Sequence, residues 1–335
     1  MTNNVLVTGG AGFMGSHVAG NLLNYNKKVI IIDDLSGGFI DNVPQNCQFI
    51  EGSITNIQLL EKIFKKNKIT HIYHLAAYAA EGLSHFIKKF NYVNNLIGSI
   101  NLINCAINYN VKCFIFTSSI AVYGSGPTPF LENTMPKPED SYGISKFAVE
   151  QELKISNDMF GLNYIIFRPH NVYGERQNIG DRYRNVIGIF MNQLMNQEPM
   201  TIFGDGEQTR AFSYIDDVAL PIALSGFMEE IYNETFNIGA DKQYSVKKLA
   251  SIVAEKMGLE CRIKYLKERN EVKHAYSNHD KMYKYFGKFI KNISLEDGIQ
   301  KMAEWVKIKG VRRSNKFNHI EIYKNLPPSW ANDYK

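Results

Sequence analysis

The stretch Val5 to Gly15, VLVTGGAGFMG, limits what this chain can fold into more than any other. Val5, Leu6 and Val7 are apolar and partly β-branched and are bounded by a turn, the pattern of a buried strand. Gly9, Gly12 and Gly15 follow in G-x-x-G-x-x-G spacing, and an amphipathic helix is expected from about His17 to Asn24. Glycine suits such a junction for three reasons: a tight turn, close approach of the backbone to a pyrophosphate, and close packing of helix on strand. The helix N-terminus then offers free N–H groups and a positive dipole end to phosphates. A glycine triplet alone fits any strand–turn–helix, so its context carries the argument. A second apolar run, Val29 to Ile32, ends in Asp33, at the distance where a carboxylate holds an adenosine ribose. An acid there repels a 2′-phosphate, and Ser36-Gly37-Gly38 brings no arginine to receive one. The expected dinucleotide is NAD rather than NADP.

Beyond Asp33 strands and helices alternate. Strands are expected at Cys47 to Ile50, His71 to Ala76, Cys113 to Thr117 and Tyr164 to Phe167, with helices at about Ile57 to Lys65, Asn91 to Tyr109 and Tyr142 to Phe160. This alternation predicts an α/β fold, a Rossmann-type doubly wound, mainly parallel sheet that binds ligands outside the carboxyl ends of its strands. After Gly174 the pattern loosens into a polar, arginine-containing loop (Glu175 to Arg184). A helix follows at Val186 to Met195, a strand at Met200 to Phe203, the turn Gly204-Asp205-Gly206 and a helix at Ser245 to Gly258. We therefore divide the chain into a dinucleotide-binding domain (1–174), a smaller C-terminal substrate-binding lobe (175–309) and a basic, proline-bearing tail (310–335). Segments near 210–240, Phe212 to Ile215 and Thr235 to Ile238, are expected to return to the main sheet. The tail is expected either to pack on the surface or to meet a partner.

The length suffices for a large α/β domain with an appended one. The formal charge of +5 is mild and suits an anionic small molecule. No arginine-rich arm or basic–aromatic repeat suggests nucleic acid. Cys47, Cys105, Cys113 and Cys261 lack C-x-x-C spacing and are expected as single buried or half-buried thiols, which argues against a metal site and for a reducing compartment. The first strand begins too early to leave room for a secretory leader, and no apolar run reaches the roughly 18 residues of a membrane span. A cytoplasmic protein is expected.

Tyr142 and Lys146 form Y-x-x-x-K at a helix start, so both side chains share one face. An ammonium there can lower a phenol's pKa and make tyrosinate a usable base. By itself the pattern is common. Together with the glycine loop and the Ser118-Ser119 pair ending a strand, it makes the chain resemble the extended short-chain dehydrogenase/reductase family, and within it the nucleotide-sugar epimerases and dehydratases. The resemblance runs to about Lys309. It is carried by TGGAGFMG, HLAA (His74 to Ala77), NNLIGS (Asn94 to Ser99), TSSIAVYG (Thr117 to Gly124) and SYGISK (Ser141 to Lys146). RPHNVYG (Arg168 to Gly174), FGDGEQTR (Phe203 to Arg210) and YIDDV (Tyr214 to Val218) extend it.

This resemblance implies that NAD is held by Gly9, Gly12, Phe13, Met14, Gly15, Asp33, Ser53, Ile54, Ala76, Tyr78, Asn95, Thr117, Tyr142 and Lys146. Lys146 would also bond the nicotinamide ribose, and its charge together with the nicotinium would depress the Tyr142 pKa. Ser119, Tyr142 and Lys146 would be catalytic. Asn171, Arg210 and Arg269 would meet the substrate diphosphate, as arginine forks suit. Arg182 and Arg184, outside the motifs, are expected to be solvated surface charges. Asn185, Val186 and Phe203 match positions that pack a uracil, favouring UDP over GDP or TDP. Ser119 would also face the sugar, while Glu81, Ser84 and His170 are candidates for the sugar pocket, His170 fitting a buried structural role equally. Two departures stand out: serine at 53, where the family often has aspartate, and no lysine near Ala79, where galactose-type enzymes commonly carry one. Where the dehydratases and decarboxylases carry a catalytic glutamate, this chain has Ile120 and Ala121, which cannot move a proton. Where GDP-mannose 3,5-epimerases carry a cysteine it has Ala121, and it lacks the lysine they place after the N-x-Y-G turn. The expected activity is therefore a UDP-sugar 4-epimerase working through transient oxidation at C4. A GDP-sugar 3,5-epimerase, a 4,6-dehydratase and a non-catalytic NAD-sensing protein are the alternatives. Small Ala275 would leave space for an N-acetyl group. Apolar faces near Asn94 to Tyr109 and Ser145 to Phe160 suggest a homodimer, as in similar enzymes.

Overall fold

Strands that are apolar along their whole length must be covered on both faces. The computed structural model describes residues 4–268, 274–311, 317–327 and 330. Seven strands form one parallel sheet: β1 (Asn4–Thr8), β2 (Lys28–Asp33), β3 (Gln48–Glu51), β4 (Ile69–His74), β5 (Cys113–Thr117), β6 (Asn163–Pro169) and β7 (Glu234–Ile238). Their order is β7-β6-β5-β4-β1-β2-β3, with Val7 opposite Ile31 on one side and Tyr73 on the other. The chain winds outward from β1 to β3, then crosses back to β4. Beyond the carboxyl ends of β1 and β4 this reversal opens a crevice that no crossover fills.

Alternation along each strand decides which side chain meets which layer. Val5, Val7, Val29 and Ile31 face α1 (Phe13–Asn24), whereas Leu6, Ile30 and Ile32 face the opposite layer. That second layer consists of α2 (Ile57–Lys66), α3 (Gly98–Asn108) and α4 (Ser141–Phe160), which contribute Leu60, Leu102 and Val149. On the first face the core is continuous with the C-terminal lobe. It runs through α5 (Val186–Met195), α6 (Ile215–Ser225), α7 (Val246–Met257) and α8 (Leu295–Lys309). Neither α6, which carries Pro221 and packs on α1, nor α8 is among the expected elements.

Several boundaries differ from expectation for identifiable reasons. Helix α1 begins at Phe13 because Gly12 already adopts the extended cap conformation. Gly9 sits at φ 70°, and a Cβ on Gly15 would stand 2.1 Å from the Gly9 carbonyl oxygen, so the turn closes only around glycine. Strand β4 stops at His74: the Leu75 amide is shared between the Thr8 carbonyl and Thr8 Oγ1, and the Ala76 amide donates to Thr8 Oγ1 instead of to the ladder. The helix expected from Asn91 begins at Lys88 and passes through a π-helical turn, Val93–Ile97, before α3. Thr235 to Ile238 does return to the main sheet, as β7 beside β6. Phe212 to Ile215 does not. Among the described residues Ser213–Tyr214 pairs only with Val172–Tyr173, and the chain turns at once into α6. Cys47 is half-buried and Cys105 and Cys113 are buried, but Cys261 is exposed.

The carboxyl ends of β5 and β6 are tied to α4 by a buried polar knot. Arg168 of β6 forks onto Glu150 of α4, with Nε 2.9 Å from Oε1, while Ser118 donates to the same carboxylate. Arg168 Nη1 also donates to the Tyr123 hydroxyl, which donates to Asn237 of β7. Arg168 and Glu150 are almost wholly buried. A carboxylate removed from such a pair strands a guanidinium in low dielectric, so Glu150→Gln is expected to cost ~3–5 kcal/mol of unfolding free energy. Urea denaturation measures this, and a cost under ~1 kcal/mol would show the pair to be dispensable.

Candidate active site

The crevice past β1 and β4 is a cleft of about 420 Å³. Its floor is set by a hydrogen-bond chain between neighbouring elements. Thr8 Oγ1 accepts from the Leu75 and Ala76 amides, so its own proton goes to His74 Nδ1 at 2.7 Å. His74 Nε2 then donates to Ser99, whose hydroxyl donates to the Asn95 carbonyl. Burial holds the His74 pKa well below the usual imidazole range, with the nearby Lys146 acting in the same direction. The ring is a neutral relay that fixes where the chain leaves β4.

Gly9, Gly12, Phe13, Met14 and Gly15 form one wall, with Asp33 beside them at the end of β2. Asp33 accepts from the Ala11 amide at 3.0 Å and the Leu35 amide at 2.8 Å, and burial raises its pKa against those bonds. Ser53, Ile54, Ala76, Tyr78 and Thr117 also line the cleft. Ser53 is engaged locally with Thr55, at 2.9 Å between hydroxyl oxygens. Asn95 stands behind the wall. Its side chain accepts from the Tyr78 amide at 2.8 Å and donates to the Tyr78 carbonyl at 3.1 Å, pinning the loop whose ring faces the cleft, while Asn94 reaches the lining.

Ser119, Tyr142 and Lys146 converge at the other end. Asp140 caps α4 by accepting from Gly143 N at 2.8 Å, which sets Tyr142 in the first turn. Ser119 hydrogen-bonds the Tyr142 side chain. Lys146 Nζ donates to the Thr117 carbonyl at 2.8 Å and lies 5.7 Å from the Tyr142 ring centroid. Burial pushes the Lys146 pKa down to about 7, with Glu150 opposing, and pushes the Tyr142 phenol up. The groups that pull the phenol back down are Ser119 and Arg184; Glu81 and Asp140 push it further up. The ammonium thus donates to a carbonyl, and burial sets the direction of the phenol's shift.

Asn171 and Asn185, both expected at the substrate, line the same cleft, Asn171 donating to the Ala211 carbonyl at 3.0 Å. Val186 opens α5 just behind them. Phe203 and Arg210 are half-buried in the lobe and lie outside the lining, Arg210 donating to the Thr209 carbonyl. Arg269 lies outside the described residues. Ala275 pairs with Arg210 in the register of two short parallel strands, so positions 210 and 275 are neighbours. Glu81 lines the cleft, whereas Ser84 is buried and donates to the Glu81 carbonyl. His170 is buried against His279, with 3.0 Å between their Nε2 atoms, and Asp241 holds His279 at 2.6 Å. Burial takes the His170 pKa to about 3, with His279 adding to the shift, so this neutral ring serves the framework.

Arg184 corrects the expectation of a surface charge. Its side chain is 18% exposed, pairs with Asp181, crosses the Tyr78 ring at 4.8 Å and lines the cleft; Arg182 is exposed as expected. The acid–base spacing of Asp181 and Arg184 was the available signal, but only the fold turns that pair inward. Gln177 is also at the cleft with a buried amide. The described part of the tail closes the same side. Phe317 stacks on Tyr78 at 4.9 Å, Trp330 meets Tyr183 at 5.3 Å and Phe86 at 6.2 Å, and Glu321 accepts from the Lys89 and Phe90 amides.

These features suit a dinucleotide. Gly12 caps α1 without a side-chain bond, leaving first-turn amides for phosphate, and buried Thr117 Oγ1 at the cleft has no hydrogen-bond partner among the described residues. Deleting residues 312–335 is expected to speed amide hydrogen exchange across 78–92, because that wall loses its ring partners and its Glu321 cap. Unchanged exchange there would show that the wall stands unaided.

Comparison with known proteins points the same way. The model of the NAD dependent epimerase/dehydratase family matches residues 5–239. A putative UDP-glucose 4-epimerase of Methanocaldococcus jannaschii is 35% identical over 306 residues, covering 90% of this chain and 98% of that one. A dTDP-D-glucose 4,6-dehydratase of Dictyostelium discoideum is 34% identical over 264 residues, 72% of this chain and 59% of that one. The crystal structure of a Thermotoga maritima UDP-glucose 4-epimerase with UDP-glucose superposes with a TM-score of 0.86 at 35% identity, covering 91% of this chain and 99% of that one.

Proposed function

The chain belongs to the NAD-dependent epimerase/dehydratase family, and on that premise we propose that it is a UDP-sugar 4-epimerase. The observation that carries this reading is the make-up of the catalytic end. Ser119 and Tyr142 meet at the cleft, while Ile120 and Ala121 occupy the short 3-10 turn that follows. A 4-epimerisation needs one proton acceptor and a reversible hydride sink. NAD, when bound, supplies the sink. Tyr142, entering as the tyrosinate and assisted by Ser119, takes the proton of the sugar 4-hydroxyl as C4 is oxidised and returns it when C4 is reduced. The flat 4-keto sugar turns about its phosphate link between the two halves, which inverts C4. Lys146 anchors this end through the Thr117 carbonyl and is the residue that would bond the nicotinamide ribose. The matches at Asn185, Val186 and Phe203 support UDP as the carrier, and a small residue at Ala275 supports acceptance of N-acetylated sugars. Retention of Tyr142 and Lys146, both buried at the cleft, argues against a non-catalytic sensor.

A second reading has one observation behind it. Glu81 lines the cleft near enough to act on the Tyr142 pKa, and a carboxylate there could serve a 4,6-dehydratase. Product analysis by NMR with UDP-glucose, UDP-N-acetylglucosamine and dTDP-glucose separates the two: a 4-epimer is expected, and a 4-keto-6-deoxy sugar would establish the dehydratase instead. Tyr142→Phe is expected to lower kcat at least a thousandfold with NAD still bound; turnover near that of the parent would remove the phenol from its role.

The assembly we propose is a homodimer. Ile144, Ile155, Met159 and Phe160 of α4 and Ile97 beside α3 are exposed, an apolar strip that a second copy would cover. Light scattering should give twice the chain mass, and a single-chain mass would refute it. No helix among the described residues is long and apolar enough to cross a membrane. Unpaired thiols at Cys47, Cys105, Cys113 and Cys261 support a cytoplasmic setting.

A further inference from the structure

We propose that Arg184 is the clasp of the dinucleotide cleft, the cationic side chain that receives the cofactor's pyrophosphate from the side opposite the glycine loop. The inference rests on the NAD reading and assigns a role to a residue that no motif marks.

Position comes first. The Arg184 guanidinium lines the cleft at the end of the loop Glu175 to Arg184, the capping loop. A Cβ built on Gly37, in the turn after β2, would stand 3.2 Å from its Nη2. The neighbouring Gly38 packs so tightly on the glycine loop that its Cβ would lie 2.6 Å from the Ala11 carbonyl. Arg184 therefore ends beside the turn that packs on the glycine loop, whose helix start offers amides suited to phosphate. On its other face it crosses the Tyr78 ring, whose backbone Asn95 holds fast.

Charge comes second. Arg184 and Lys146 are the two cationic side chains among the described residues of the lining, against Asp33, Asp34 and Glu81. Lys146 is committed to the Thr117 carbonyl at the catalytic end. A pyrophosphate carries two negative charges that a helix dipole of about half a charge offsets only in part. The remaining cation is Arg184.

Preorganisation comes third. Asp181 fixes the guanidinium by accepting from Nε at 2.7 Å and pairing with Nη2, and is itself held by the Tyr183 amide at 2.9 Å. Nη1 has no hydrogen-bond partner among the described residues, so an edge of the fork remains for a ligand oxygen. A planar fork held in this way spends little side-chain entropy on binding. The same charge lies close enough to Tyr142 to favour its phenolate.

The test uses full-length protein stripped of cofactor and titrated calorimetrically with NAD, alongside the dinucleotide content of each variant as purified. Arg184→Met is expected to weaken NAD binding at least tenfold, and Arg184→Lys, which keeps a charge without the fork, to fall between. Melting temperatures without cofactor show whether each variant is folded, and the lysine variant carries the test should the methionine one fail to fold. NAD affinity within twofold of the parent in a folded variant would overturn the proposal. So would an unchanged NAD affinity with a raised KM for the UDP-sugar, which would assign Arg184 to substrate. A parent protein that binds no NAD would sink the cofactor reading itself and so is distinguishable from failure of the clasp.

Discussion

The buried fork between Arg168 and Glu150 holds the working end of this molecule in place. Strands β5 and β6 and helix α4 belong to different parts of the chain, and each brings something the cleft needs: Ser119 follows β5, Asn171 follows β6, and Tyr142 and Lys146 ride on α4. Apolar packing alone would leave those ends free to slide, because dispersion is weakly directional. A bidentate ion pair with a fixed geometry is not. By adding Ser118, Tyr123 and Asn237 to the same knot, the fold registers several strand ends against α4 to within a hydrogen bond. The desolvation that makes such a pair costly is offset only when every partner is present, which is why the knot is so fully satisfied.

The same dryness shapes the chemistry beside it. Tyr142 and Lys146 are both buried, and each is driven towards its neutral form. A base that must become an anion in such surroundings depends on fixed donors and on cations brought close to it. Ser119 supplies the donor. Arg184, arriving from the capping loop, supplies charge that the Y-x-x-x-K spacing by itself does not.

The cleft is walled by segments that lie far apart in the chain. The glycine loop and Asp33 come from its start, the Tyr78 loop from the crossover after β4, Arg184 from the capping loop, and the rings that back Tyr78 from the tail. Phe317 and Trp330 do for this wall what a second helix layer does for the sheet: they bury its apolar side, so that Tyr78 presents a ring to Arg184 and the cleft instead of to solvent.

Much of this was legible in the residues. Alternating apolar runs and a glycine-spaced turn are local signals with a period, and they gave the parallel sheet, the cleft at its carboxyl edge and Asp33 at the tip of β2. β5, α5 and Met200–Phe203 begin and end where the pattern puts them, because each is bounded by residues that act within a turn or two. Other features had no local mark. Whether Phe212 to Ile215 joined the main sheet depended on which edge was free, and β7 took it. Asn95 stands behind the cleft and Arg184 within it because of how a loop lies against a distant turn, and no spacing along the chain encodes that distance. The direction of the Tyr142 and Lys146 shifts also belongs to the tertiary structure, since the motif names the groups but only packing sets how much water they lose. The sequence by itself determined the elements and the chemistry they carry; the packed chain decided which charges face one another, because desolvation and proximity arise only when remote segments meet.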